Sequence, residues 1–184
     1  IDMMADGLNS VTMTGGEPLL DHRFSDMIQK FKNTKSVVVH SGLGVSETVL
    51  RRGLDAMSDT QHKTTLCISA ESIGKNFEFN RQGSNWETFL RYIDMIKEYD
   101  VAIQFTSTYS NLNITDYVKF NTMFHEYPIS MNMVYDPAFM SVYNLDDETK
   151  KQVINDIKQS RLSNSKNANE IINTINQPTN EKLR

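Results

Sequence analysis

Gly15-Gly16-Glu17-Pro18 concentrates more chemical potential than any other short run in this sequence. Two successive glycines let the backbone approach a ligand closely and take positive φ where a turn demands it. Glu17 adds a carboxylate, and Pro18 stiffens the exit from the turn. A plain strand-to-helix turn would use the same residue types, so four residues do not decide between the two. The histidines His22, His40, His62 and His125 are scattered and read as packing or surface residues. Cys67 is the only cysteine and sits between Leu66 and Ile68, which reads as a buried core thiol. Met3, Met4, Met13, Met131 and Met133 read as core filler.

The turn matters because of the elements around it. Ser10–Thr14 is a β-branched run that predicts a strand, so the glycines fall at a strand's carboxyl end, where parallel α/β folds bind ligands. Further strands are predicted at Ser36–Ser41, Thr64–Ala70, Val101–Thr108 and Ile129–Val134. Helical spacing of apolar residues predicts helices over Asp21–Phe31, Val45–Met57 and Ile114–Phe124. Ser84 and Glu87 have capping-box spacing and open another helix through Trp86, Phe89, Ile93 and Ile96. Residues 71–83 read as irregular. Asp146-Asp147-Glu148 opens a helix that Lys158 and Arg161 close, in keeping with the helix dipole. The Asn-rich tail from Ser163 reads as a peripheral or frayed helix. The β-α alternation implies an α/β fold with parallel strands, either a partial barrel or a doubly wound sheet.

Composition sets the remaining bounds. A chain of 184 residues can bury one medium core. A net charge of −4 supplies no broad basic field for nucleic acid. No apolar run has the roughly 20 residues of a membrane span, and a single cysteine fits a reducing, cytoplasmic setting. The start, Ile1-Asp2-Met3-Met4-Ala5-Asp6-Gly7, has neither an initiator Met nor a signal-peptide pattern. It reads as a helix already under way, with an upstream part expected to be missing.

Thr14-Gly15-Gly16-Glu17-Pro18-Leu19 resembles the TGGEPL motif of radical S-adenosylmethionine (SAM) enzymes. Ser36–Gly44, Ile68-Ser69-Ala70-Glu71-Ser72 and Asn80-Arg81-Gln82-Gly83 with Trp86-Glu87 resemble later segments of that family, in the family's order. The resemblance covers residues 1 to 135 or so and is strongest at TGGEPL. Ile68–Glu87 and Pro137…Leu145 look similar to phage-like, twitch domain-containing members. The resemblance implies a partial (β/α)6 TIM-like barrel, truncated at its N-terminus, over residues 1–145, with a helical C-terminal extension over 146–184. It also implies SAM binding by Gly15, Gly16, Glu17, Pro18, Ser41, Ser69, Glu71, Arg81 and Thr106. In that reading Glu17 accepts from the ammonium of SAM and Arg81 forks onto its carboxylate, a geometry Lys does not copy. Ser69 and Glu71 offer acceptors to the ribose hydroxyls. Ser41 helps at the next rim position, and Thr106, with Ser107 and Asn111, meets ribose or substrate.

The family's cofactor set also includes a [4Fe–4S] cluster held by C-x₃-C-x₂-C, and such clusters need thiolate ligands. That motif is absent here, so the resemblance places the cluster ligands upstream of residue 1. It implies reductive SAM cleavage, removal of a substrate hydrogen, and a reductant such as flavodoxin or ferredoxin. The substrate stays open among peptides, nucleosides and sugars. Two other readings remain: a non-catalytic SAM- or nucleotide-binding α/β module, and a barrel-type hydrolase pairing Glu17 with Asp136.

Overall fold

A computed structural model describes residues 8–31, 34–60 and 63–177. The expectations for Met3, Met4 and the opening heptapeptide, for His62 and for the last residues of the tail lie outside them.

Five strands lie among the described residues: β1 (Ser10–Met13), β2 (Ser36–Ser41), β3 (Lys63–Ser69), β4 (Ala102–Tyr109) and β5 (Ile129–Met133). They form one parallel sheet in the order β1-β2-β3-β4-β5. That order decides between the two α/β candidates. A doubly wound sheet reverses its strand order at a switch point, whereas a strictly sequential order is the winding of a (β/α) barrel. The register pairs Met13 with Val39 and Ser41 with Ile68, so the carboxyl ends of β1, β2 and β3 come level. Along β3, Thr64, Leu66, Cys67 and Ile68 are all buried, as expected of a strand covered on both faces.

Seven α-helices accompany the strands among the described residues: α1 (Phe24–Lys30), α2 (Glu47–Ser58), α3 (Gly74–Asn80), α4 (Trp86–Ile96), α5 (Tyr117–Met123), α6 (Asp147–Gln159) and α7 (Lys166–Ile175). Ser46 caps α2 by accepting from the Val49 N–H, and Leu50, Leu54 and Met57 form its buried stripe. Asp146 caps α6 through the Thr149 N–H at 2.8 Å, with Asp147 and Glu148 in the first turn and Lys158 in the last.

Four expectations need correction. The cap of α4 is Asn85, whose Oδ1 accepts from the Thr88 N–H at 2.9 Å, so Ser84 and Glu87 form no capping box. The helix predicted over Asp21–Phe31 is shorter, since α1 runs only from Phe24 to Lys30, and a 3₁₀ turn over Pro18–Leu20 precedes it. The 71–83 stretch is not irregular throughout, because α3 occupies its middle. The tail is not peripheral: α7 is capped by Ser165, and Ala168, Ile171 and Ile175 are buried.

The chain divides into two compact units, Ile1–Ala70 with Arg81–Phe105, and Glu71–Asn80 with Thr106–Arg184. In the first, Val37, Val39, Leu54 and Leu66 are fully or almost fully buried, as are Phe24 and Ile28 of α1. In the second, Tyr109, Tyr117 and Val142 share one cluster with Val153 and Ile157 of α6 and Ile171 of α7. Each buried aliphatic side chain of this kind contributes about 1.5–3 kcal/mol through burial.

Candidate functional site

The first unit carries the glycine turn. Gly15 and Gly16 have φ of 89° and 56°, the left-handed region in which L-residues with a Cβ are disfavoured. Both are exposed, and no atom lies within 4 Å of a Cβ built on either. Backbone conformation, not crowding, therefore requires glycine here. Glu17 then caps the short 3₁₀ turn of Pro18–Leu20, with Oε1 3.4 Å from the Leu19 N–H and Pro18 at the first position, where no N–H is needed.

Glu17 also reaches across to the end of β2. Its Oε2 accepts from the Ser41 hydroxyl at 2.9 Å and from the Gly42 N–H at 3.0 Å. Ser41 is buried, and its Oγ accepts in turn from the Leu43 N–H at 2.9 Å. Leu43 has φ 57°, an outlying conformation for a bulky residue. Arg52 of α2 braces the same turn from behind by donating to the Leu19 carbonyl at 2.7 Å. Asp21, where the turn leads into α1, accepts a fork from Arg23, and these hydrogen bonds hold its carboxyl well below the usual carboxylate range.

Arg81 comes to this corner. Its Nη1 lies 3.7 Å from the position a Cβ would take on Gly42, beside the backbone that holds Glu17. Ser69 is half-buried at the last position of β3, one residue past the register partner of Ser41. Gly15 to Pro18, Ser41 and Ser69 therefore lie along one rim of strand ends, and Arg81 lies against Gly42. Trp86, the only tryptophan, opens α4 shortly after Arg81 and stacks on Phe89 with ring centroids 5.4 Å apart. A cleft of about 480 Å³ runs beside β1, lined by Met13, Thr14, Gly15, Glu17, Met27 and Phe31. That volume lies within the range of small-molecule sites. A larger hollow of about 780 Å³ lies between α1 and α2, among Asp26, Arg51 and Asp55, away from the strand ends.

The second unit holds Glu71 and Thr106. Glu71 is buried and Thr106 is half-buried on β4, where the neighbouring Ser107 is fully buried. Burial pushes the Tyr109 hydroxyl far above its ordinary range, and Asn121 donates to it at 3.1 Å. Asn111 spends its side-chain amide on the Phe139 carbonyl and its N–H on the Met140 carbonyl, bracing the loop after β5. Asp116 is a buried carboxylate the sequence did not single out. It accepts from the Ile73 N–H at 3.2 Å and from Asn76 at 3.0 Å, which ties down α3. Asp136 is exposed.

Among the described residues no group of three or more His, Cys, Asp or Glu could hold a metal ion. Cys67 is buried in β3, and one thiol does not fit a [4Fe–4S] cluster. No described helix is long and apolar enough to cross a membrane.

No protein-family model matches this sequence, and no curated protein matches it. Solved structures do resemble it. Streptococcus suis SuiB bound to S-adenosylmethionine superposes with a TM-score of 0.56 at 14% identity, over 86% of this chain and 37% of SuiB. SuiB bound to the precursor peptide SuiA gives the same values. A domain of pyruvate-formate lyase-activating enzyme from Bacteroides vulgatus gives 0.52 at 17% identity, over 80% of this chain and 91% of that one. This chain thus spans about 37% of the length of SuiB. At these identities the likeness is one of fold.

Proposed function

We propose that this chain is the SAM-binding part of a radical SAM enzyme. One observation carries the reading: the left-handed Gly15-Gly16 turn is held to the end of β2 through Glu17, with Arg81 against Gly42. An anionic acceptor and a guanidinium at one rim suit a ligand whose end carries both an ammonium and a carboxylate. Ser69 adds a hydroxyl on the same rim, and the assignment of Glu71 and Thr106 to ribose or substrate belongs to the proposal. The SAM-bound SuiB fold supports the ligand assignment.

The cluster needs thiolates that these residues do not provide, and its ligands are proposed to come from outside the 184 residues. When bound, it would supply the electron that cleaves SAM. This chain's own contribution is to bind and orient the cofactor. The division into a core over 1–145 and a helical extension over 146–184 belongs to the proposal. So do the flavodoxin- or ferredoxin-type reductant, a cytoplasmic setting and kinship with twitch domain-containing members. The peptide-bound SuiB fold favours a peptide among the substrate classes.

Calorimetry of the chain with SAM tests the reading. Binding is expected, with a loss of about tenfold or more in Glu17→Ala and in Arg81→Ala, the scale of one charge-assisted hydrogen bond. No detectable binding by the unmodified chain would rule the proposal out. In the gene, the sequence upstream of Ile1 should encode C-x₃-C-x₂-C. A start codon there without cysteines would leave the non-catalytic SAM-binding module as the better reading.

A further inference from the structure

The network around Glu17 assigns different jobs to its two oxygens. Ser41 is 3% exposed, and its Oγ already accepts from the Leu43 N–H. The hydroxyl proton is therefore directed at Glu17 Oε2. The Gly42 N–H supplies a second donor to that oxygen. Among the described residues, Oε1 has only the long 3.4 Å contact with the Leu19 N–H. The backbone that delivers these donors is strained, since Leu43 holds a left-handed φ that a leucine rarely adopts. Strain of this kind persists where surrounding structure enforces it, and it concentrates at functional sites.

We propose that Ser41 is a positioning residue: with the Gly42 N–H, it fixes Oε2 of Glu17 and leaves Oε1 to receive the ammonium of the ligand. The assignment rests on the SAM reading above. Ser41 acts through Glu17 and touches no ligand itself. Its removal should therefore be felt only by ligands that carry the ammonium, and only while Glu17 is a carboxylate.

The test is calorimetry of the 184-residue chain with SAM and with its analogue lacking the α-amino group. Ser41→Ala should weaken SAM about tenfold and leave the analogue unchanged. In a Glu17→Gln background, adding Ser41→Ala should cost nothing further, and Ser41→Thr should retain affinity. Equal losses for both ligands, a loss that persists beside Glu17→Gln, or no loss at all would overturn the assignment. Hydrogen exchange of the Gly42 amide checks the brace without ligand. It should speed up in Ser41→Ala, and unchanged exchange would also overturn the proposal. If the unmodified chain fails to bind SAM, the functional reading falls and takes this one with it. If it binds and only the Ser41 pattern fails, the functional reading stands.

Discussion

A Cβ built on Gly53, in the middle of α2, would lie 2.7 Å from Cδ2 of Leu19, the fully buried residue that follows Pro18. The helix tolerates its glycine because the packing of the turn needs the space. Helix propensity alone favours Gly53→Ala by about 1 kcal/mol. Overpacking a filled core costs about 1–3 kcal/mol. The second effect should win, with a net destabilisation of about 1 kcal/mol seen as a lower urea midpoint at unchanged m-value. A higher midpoint would mean that Leu19 yields.

Asp116→Ala should destabilise the chain by about 2–4 kcal/mol, because it leaves the Ile73 N–H and the Asn76 amide without their acceptor. Asp116→Asn keeps one acceptor oxygen and should cost less. Thermal melts give the ranking. Exchange of the Ile73 amide shows whether the anchor of α3 is what was lost.

Asp146 gives stability a pH dependence of known sign. The Thr149 hydroxyl and N–H stabilise its ionised form and lower its native pKa. Its contribution is fully present above the ordinary aspartate value of about 3.9 and is lost as pH falls through the lowered native value. The stability difference between the unmodified chain and Asp146→Asn should therefore be largest near neutrality and shrink on acidification. Melts across that range would contradict this if the difference stayed constant.

Ile171→Ala removes a fully buried side chain from α7 and should cost about 2–5 kcal/mol. A frayed tail would lose almost nothing. Slow amide exchange at Ile171 and Ile175 would locate the effect in the second unit's core.

Much of this was legible in the sequence where the signal is local. β-branched runs marked all five strands, and the glycine pair marked the left-handed turn. Sequential strand order followed from no run of residues, since the same alternation suits two windings. α3 escaped because Phe77 is its only buried residue, so no stripe repeats, and Asp116, far along the chain, anchors its start. Ser84 and Asn85 are both good caps one position apart, and the sequence does not choose between them. α7 has only a short apolar stripe, and its cluster joins it to Tyr109 and Val142, far from it in sequence. In the site, Glu17 stood out as the carboxylate of the glycine turn, and Arg81 only through the resemblance of its segment. The clamp of Glu17 on Ser41 needed the β1–β2 register, and the brace of Arg52 on the Leu19 carbonyl joins residues 33 positions apart that no local pattern links.

The stacked pair at the head of α4 makes the molecule its own optical probe. With Trp86 as the sole indole, steady-state emission of the whole chain is a single-site signal, taken next to the loop that carries Arg81. Changes in that loop can be followed in real time without a dye, and Phe89 against the ring ties the emission to the order of α4's first turn. The same channel separates local rearrangement from global unfolding, because backbone circular dichroism sums over every helix while the indole reports on one.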